Sequence, residues 1–326
     1  MKFVTEVCDL PHREGLINHR QPIVMLGSCF TDNIGRQLRR RLFDVAINPF
    51  GTLYNPDSIL DAVSRIVNRE YVTDNDIFES NGIFHSWAHH SSFSARTAGE
   101  LIEKANRQID FAHEKLRHAS ALIVTLGTAY AYRLKADGRT VANCHKQPAA
   151  MFDRYVCRFS NIKLMRDSIC RINRDIHVIA TVSPIRHLAD GAHGNALSKA
   201  RLLTAIDDDL RGNDTFGVRD ATYFPAFEIM TDELRDYRFY APDLVHPSQQ
   251  AIDYIYERFE QSFCDSATVS LSEDILRLSA RVNHRPIVAD DPQYAIFAEK
   301  TTAMINELIS NHPYLTDRVN QLKNDI

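Results

Sequence analysis

Residues 22–35, Pro-Ile-Val-Met-Leu-Gly-Ser-Cys-Phe-Thr-Asp-Asn-Ile-Gly, decide the fold prediction. The apolar run over residues 22–26 predicts a buried strand that stops at Gly27. Apolar residues spaced four apart predict a helix over residues 32–43, directly after this strand. A buried strand followed at once by a helix is the building unit of parallel α/β sheets.

Further strand–helix pairs follow along the chain. Apolar runs predict strands over residues 44–47, 121–126 and 177–182, and helical spacing predicts helices over residues 57–68, 99–118, 199–210 and 251–263. Gly27, Gly51 and Gly127 lie at or just past the ends of three predicted strands. In open α/β sheets the carboxyl ends of the strands form the crevice in which ligands bind. We therefore predict a three-layer α/β/α sandwich around a central parallel sheet, with these glycines at one edge.

Two segments depart from this pattern. Residues 74–98 contain the only tryptophan and three histidines without clean periodicity, so we expect a long irregular insertion that folds over the crevice. Residues 271–326 predict polar helices with an interruption at 286–292. We divide the chain into a catalytic-type domain, residues 1–265, and a helical C-terminal extension, residues 266–326, through which copies of the chain could associate into a homo-oligomer.

The composition restricts the class of protein. The 38 basic and 42 acidic residues give a formal charge of −4, and the lack of a basic excess argues against nucleic-acid binding. No apolar run approaches the ~20 residues that cross a bilayer, and the first eleven residues do not form a typical signal peptide. The six cysteines are scattered without a CxxC pair, which favours a reducing cytoplasm over a disulfide or zinc scaffold. We expect a cytoplasmic protein without nucleic-acid or membrane partners.

Cys29 stands at the junction between the first predicted strand and helix. Free N–H groups at a helix N-terminus favour negative charge, so this position should lower the pKa of the thiol from about 8.5. The same N–H groups could hold an oxyanion during acyl transfer. The alternative is that Cys29 is a small buried core residue.

Asp243 and His246 form the second motif, three residues apart and just before a predicted helix. In a loop, this spacing can place the carboxylate against the imidazole Nδ1–H, where it orients the ring and stabilises its charged form. The alternative is that Asp243 or Ser248 caps the helix and His246 is a surface residue.

Together the two motifs resemble those of the SGNH, or GDSL, hydrolases. These proteins begin with a strand, Gly-Asp-Ser-Leu and a helix, and end with Asp-x-x-His-Pro before the last helix. Without gaps, residues 27–30 align with the first motif, so Cys29 takes the place of the serine nucleophile. Asp243 and His246 align with the family's acid and base. The resemblance implies the SGNH-hydrolase, flavodoxin-like form of the sandwich.

Gly-Ser-Cys-Phe resembles more specifically the motif after which the GSCFA family, a branch of that superfamily, is named. Thr31 replaces the alanine that ends the family motif. Other segments that resemble the family are residues 48–52, 125–129, 143–146, 181–187 and 234–240. The resemblance covers about residues 20–263.

Two positions depart from the superfamily pattern. Its third block, Gly-x-Asn-Asp, supplies an asparagine that donates to the oxyanion, whereas residues 127–130 contain no asparagine. That donor is therefore missing or supplied elsewhere, while Gly51 aligns with the glycine of the second block, whose N–H is the other donor. We expect the N–H groups of Gly51 and Cys29 to hold the oxyanion, with Gly127 as a further oxyanion position. Because Cys29 replaces serine, the neighbouring Ser28 remains an alternative nucleophile.

Further candidates for substrate binding lie near the predicted strand ends. They are His89, His90, Thr128, Arg186 and His187. Arg186 and His187 could bind an anionic group of the substrate, or could belong to a surface loop. The histidines of the insertion lack the regular spacing and the acidic neighbour of a metal site, so we expect no metal.

The predicted function is acyl transfer, by an esterase or an O-acyltransferase acting on a small-molecule or glycan ester. Cys29 would attack an ester or thioester carbonyl, His246 would act as the base, and Asp243 would orient it, without a cofactor. The alternative is a catalytically silent protein that binds an acylated or carbohydrate ligand in the same crevice. The missing asparagine favours the silent protein, and the presence of both Asp243 and His246 favours the enzyme.

Overall fold

The computed structural model describes residues 5–211, 220–285 and 292–324. The strands are β1 (Ile23–Gly27), β2 (Val45–Ile47), β3 (Ile77–Ser80), β4 (Ile83–Ser86), β5 (Ala121–Leu126), β6 (Tyr130–Leu134), β7 (Thr140–Val141), β8 (Phe152–Val156), β9 (His177–Val182) and β10 (Ala221–Tyr223). The helices are α1 (Cys29–Arg40), α2 (Pro56–Asn68), α3 (Ala98–His118), α4 (Ile162–Ile169), α5 (Gly191–Arg211), α6 (Ala226–Glu228), α7 (Gln249–Phe263), α8 (Ser266–Val282), α9 (Pro292–Asn311) and α10 (Thr316–Asn324).

The central sheet is parallel throughout. Among the described residues it has five strands, in the order β10-β9-β5-β1-β2. Since β1, β2 and β5 run in the same direction, Gly27, Gly51 and Gly127 lie at the same edge of the sheet, as predicted. The crevice at this edge is where the candidate residues were expected to meet.

Helices cover both faces of the sheet because its strands are apolar on both sides. Side chains alternate along β1, so Val24 and Leu26 join the core with α2, α3, α4 and α5, while Ile23 and Met25 join the opposite core with α1 and α7. The predicted three-layer α/β/α sandwich is confirmed.

The insertion at residues 74–98 is more regular than predicted. Strands β3 and β4 pair as an antiparallel hairpin around Asn81 and Gly82, which have φ angles of 54° and 74°. Asn-Gly between two short apolar runs is a strong hairpin signal, because both turn residues need positive φ. A second antiparallel sheet, β7-β6-β8, was not predicted.

The C-terminal part is helical, as predicted. Helices α8, α9 and α10 share an apolar cluster that also includes Leu42, just after α1. The predicted interruption at residues 286–292 falls largely on residues 286–291, which lie outside the described residues. Along the described ranges, no helix combines the length and the apolar character needed to cross a membrane.

Candidate active site

Strand β1 passes directly into α1 at the crevice edge of the sheet. Helix α1 begins at Cys29, earlier than predicted, because Ser28 caps it: the Ser28 Oγ accepts from the Phe30 N–H at 3.3 Å. Position 27 requires glycine, since its φ is 145° and a Cβ there would lie 2.3 Å from the Thr125 carbonyl oxygen. This close turn places Cys29, which is half-buried, at the end of β1.

The loop of residues 240–248, before α7, brings Asp243 and His246 together. Asp243 Oδ1 accepts from the N–H groups of Val245 and His246, both at 2.9 Å, and Oδ2 lies 2.6 Å from His246 Nδ1. These hydrogen bonds, first that of the His246 N–H, lower the pKa of Asp243 to about 2. The carboxylate is therefore ionised at neutral pH and orients the ring. Ser248, and not Asp243, caps α7.

Cys29 and His246 meet across the crevice. Cys29 Sγ lies 3.7 Å from His246 Nε2. With the Nδ1 proton directed to Asp243, Nε2 is the acceptor that faces the thiol. A gap of this size is common for catalytic hydrogen bonds in the absence of substrate. Ser28 Oγ, in contrast, is buried and holds the helix cap, so the side chain that faces His246 is that of Cys29.

The Cys29 thiol is protonated at rest. Burial, and then the Asp32 carboxylate in the same helical turn, raise the pKa of Cys29, while the N–H groups of Cys29 and Phe30 and the Lys199 ammonium oppose this rise. The predicted net lowering of this pKa is wrong because burial and Asp32 outweigh the helix N-terminus. A reaction at this sulfur would therefore need a base that removes the thiol proton, and His246 Nε2 is placed to do so.

Asn48 connects β1, α1 and the turn after β2. Its Oδ1 accepts from the Gly27 N–H at 2.9 Å, and its Nδ2 donates to Asp32 Oδ1 at 2.7 Å. Asn48 itself has a φ of 45°, a conformation that asparagine tolerates better than most residues. It thus fixes both Gly27, two residues before Cys29, and the Asp32 carboxylate, which adds to the effect of burial on the thiol pKa. We did not predict this role.

The two glycine N–H groups predicted to bind an oxyanion have other partners in this structure. Gly51 N donates to the Asn48 carbonyl at 2.7 Å, and Gly127 N donates to the Tyr54 carbonyl at 2.8 Å. Neither N–H is free to bind an oxyanion, so the structure does not support the oxyanion role predicted for these two glycines. The Cys29 N–H stands at the first position of α1, where a helix offers no acceptor of its own.

Residues 22–259 match the model of the GSCFA family. The chain belongs to the GSCFA family. The match includes Cys29, Asp243 and His246, so the site lies inside the region that defines the family. No curated protein matches the chain.

The GSCFA protein carries a buried lysine beneath the crevice. Lys199, on α5, is 2% exposed, and its Nζ donates to the carbonyls of Gly127 and Ser183, both at 2.7 Å. Burial lowers the pKa of Lys199 to about 7, against the opposing effect of Cys29. No carboxylate forms an ion pair with Lys199 among the described residues. The sequence did not mark it, because a lysine in a predicted helix is ordinarily a surface residue.

Tyr54 and His187 pack beside Gly127. Their rings are edge-to-face at 5.4 Å, and a Cβ at Gly127 would approach both to within 3.1 and 3.3 Å. Burial lowers the pKa of His187 to about 4, so this imidazole is neutral at pH 7 and could contact an anionic group only as a neutral N–H donor; its role in substrate binding stays a prediction. Burial and the nearby Cys29 raise the pKa of Tyr54, so its hydroxyl remains a proton donor.

The histidines of the insertion have different environments. His89 is 0% exposed, stacks on Phe50 at 4.4 Å, and places Nδ1 2.9 Å from Ser86 Oγ. Its predicted contact with substrate is therefore wrong, because the ring belongs to the core. His90 is half-buried, and its Cβ would lie 2.4 Å from a Cβ added at Gly51. His90 thus remains a candidate at the crevice edge.

Thr128 and Arg186 also differ in exposure. Thr128 is buried, with Oγ1 3.1 Å from Ser198 Oγ and accepting from the Tyr130 N–H at 3.1 Å, so its predicted substrate contact is replaced by a structural role. Arg186 is exposed after β9, with its guanidinium 5.9 Å from the Tyr240 ring. Within the described ranges, no three His, Cys, Asp or Glu side chains are grouped to hold a metal ion.

Proposed function

We propose that this GSCFA-family protein is an acyl-transfer enzyme, an esterase or O-acyltransferase, with Cys29 as its nucleophile. The observation that carries the proposal is the chain of contacts from Cys29 Sγ to His246 Nε2, 3.7 Å, and from His246 Nδ1 to Asp243 Oδ2, 2.6 Å. A nucleophile, a base and an orienting acid in this geometry define a triad whatever their order in the sequence. The resemblance to SGNH hydrolases supports the same three roles.

In the proposed reaction, Cys29 Sγ attacks the carbonyl carbon of an ester or thioester while His246 Nε2 takes the thiol proton. Asp243 stabilises the imidazolium that forms. The tetrahedral oxyanion collapses, His246 returns the proton to the leaving alcohol or thiol, and an acyl-Cys29 remains. Water or an acceptor hydroxyl then attacks this intermediate as His246 removes its proton, which releases a carboxylic acid or a new ester and restores the thiol.

The oxyanion needs donors other than the two glycines. We assign it to the Cys29 N–H and the Tyr54 hydroxyl, with the Lys199 charge beneath the crevice as a further stabilising field. Two electrostatic effects support this assignment: besides burial, a thiolate at Cys29 would raise the pKa of Tyr54, and it would oppose the lowering of the pKa of Lys199 by burial. Tyr54 and Lys199 would then replace the absent asparagine.

The second candidate function is a catalytically silent protein that binds an acylated or carbohydrate ligand in the crevice. The engaged N–H groups of Gly51 and Gly127, together with the absent asparagine, favour it. It predicts saturable ligand binding that does not depend on the Cys29 sulfur.

We also propose a reducing location, the cytoplasm, for this enzyme. All six cysteines are free in the structure, and the mechanism requires Cys29 to remain a thiol. The substrate would be a small-molecule or glycan ester.

The test is turnover of a panel of p-nitrophenyl esters and acyl thioesters by the wild type and four variants. We expect Cys29→Ala to abolish turnover, Ser28→Ala to retain most of it, and the matched control Cys170→Ala to behave as wild type. Cys29→Ser should retain slight activity, since a hydroxyl needs more help from the base. Loss in Ser28→Ala with retention in Cys29→Ala would make Ser28 the nucleophile. If neither variant matters, the silent protein replaces the enzyme.

A further inference from the structure

A cavity opens beside the 240–248 loop. It has a volume of about 470 Å³, and its walls include Arg186 and Leu188 after β9, Tyr240 and Leu244 from the loop, and the segment that continues α6. This volume lies within the range of small-molecule sites. The mechanism proposed above uses none of the residues that line it.

Apolar side chains line this cavity without being covered. Leu188, Tyr237 and Leu244 are each more than half exposed. Leu244 also has a φ of 57°, in the left-handed region, which costs roughly 1 kcal/mol for a residue with a Cβ. The loop therefore exposes the Leu244 side chain to solvent, between Asp243 and His246, although its backbone conformation there is unfavourable. Strained residues and exposed apolar patches of this kind mark ligand contacts.

The same cavity is lined by two arginines. Neither Arg186 nor Arg235 forms an ion pair with a carboxylate among the described residues. Of the described lining residues, Asp236 alone carries a carboxylate, and its Oδ1 accepts from the Arg238 N–H at 2.9 Å. The two guanidinium groups therefore remain available to a carboxylate or a phosphate, which arginine binds through paired hydrogen bonds.

We propose that this cavity binds the part of the substrate that carries an apolar chain and an anionic group, a phosphate or a carboxylate. The chain lies against Leu188, Tyr237 and Leu244, and the anionic group lies at Arg186 and Arg235. The inference rests on the proposed function only in placing this ligand beside the reacting atoms; binding itself does not require turnover.

The experiment measures binding of decyl phosphate, below its micellar concentration, to full-length Cys29→Ala protein by calorimetry. The pocket variants are Leu244→Asn, which keeps a residue tolerant of the left-handed conformation, and the double variant Arg186→Gln/Arg235→Gln. The matched control is Leu164→Asn, since Leu164 on α4 is 55% exposed and Leu244 is 54% exposed. Arg107→Gln on α3 is the control for loss of a surface charge.

We expect saturable binding that weakens at least about tenfold, roughly 1.4 kcal/mol, in each pocket variant and not in the controls. Decanol and methyl phosphate, which each lack one half of the ligand, should bind at least about tenfold more weakly than decyl phosphate. The proposal is overturned if binding is absent, if the pocket variants bind as the controls do, or if decanol binds equally well. Binding only to anionic vesicles would also overturn it. Because the protein lacks Cys29, these outcomes do not depend on ester turnover.

Discussion

Replacing Lys199 by methionine should change how the stability of the protein depends on pH. The pKa of Lys199 is about 7 in the folded protein, against an ordinary value of 10.5. Between these values the unfolded chain binds a proton that the folded chain does not, so native stability rises with pH in this window. At 1.36 kcal/mol per pKa unit, the shift corresponds to a loss of native stability of roughly 5 kcal/mol at low pH. About 2 kcal/mol of this stability returns as the pH rises from 7 to 9.

The assay is urea unfolding, followed by far-ultraviolet circular dichroism, at several pH values from 6.5 to 9. We compare the wild type with Lys199→Met and with the control Lys300→Met, since Lys300 is an exposed lysine of α9. The free energy of unfolding of the wild type minus that of Lys199→Met should rise by about 2 kcal/mol from pH 7 to 9. Ionisation of the cysteines occurs in both proteins and cancels. A difference that stays constant, or falls, refutes the assignment of a destabilised ammonium at this position.

Three further substitutions test the site. Asp243→Asn should lower kcat by roughly a hundredfold or more on the best ester of the panel. Because the pKa of Asp243 is about 2, ionisation of this carboxyl should leave the wild-type pH–rate profile unchanged above pH 4. A pH-dependent change of the wild-type rate above pH 4 that disappears in Asp243→Asn would contradict this. Tyr54→Phe should lower kcat by roughly a hundredfold with little change in KM, and an unchanged kcat would remove this hydroxyl from the oxyanion site. Asn48→Ala should lower the free energy of unfolding by about 1–3 kcal/mol, since the Gly27 N–H and the Asp32 carboxylate lose their hydrogen-bond partner. If urea unfolding shows a decrease in this free energy below about 0.5 kcal/mol, water replaces the amide.

The parts of the fold that the sequence predicted are those with local, repeated patterns. Strand β1 is an unbroken apolar run, and α1 repeats apolar residues every four positions, so both were predicted with only small errors at their ends. The hairpin of β3 and β4 was missed because its strands are four residues long, although Asn81-Gly82 marked the turn. The β7-β6-β8 sheet was missed because its strands are short and partly exposed.

The predictability of the site follows the same division. Asp243 and His246 could be paired from sequence because three residues separate them. Lys199 could not, since it lies 72 residues from Gly127, and only the folded chain shows that its ammonium is buried against that carbonyl. Likewise, whether the Gly51 N–H is free depends on a turn closed by a backbone hydrogen bond, which composition and spacing do not encode.

The most direct test of the proposed triad is to find which residue of the protein an activated ester acylates. The protein is mixed with p-nitrophenyl acetate, quenched in acid at short times, and examined by intact-protein mass spectrometry and peptide mapping. The proposed mechanism predicts one acetyl group on Cys29, absent in Cys29→Ala, present in Cys170→Ala, and formed at least about tenfold more slowly in His246→Ala. Acetylation of Ser28 with Cys29 unmodified, or ester turnover that persists in Cys29→Ala, would contradict it.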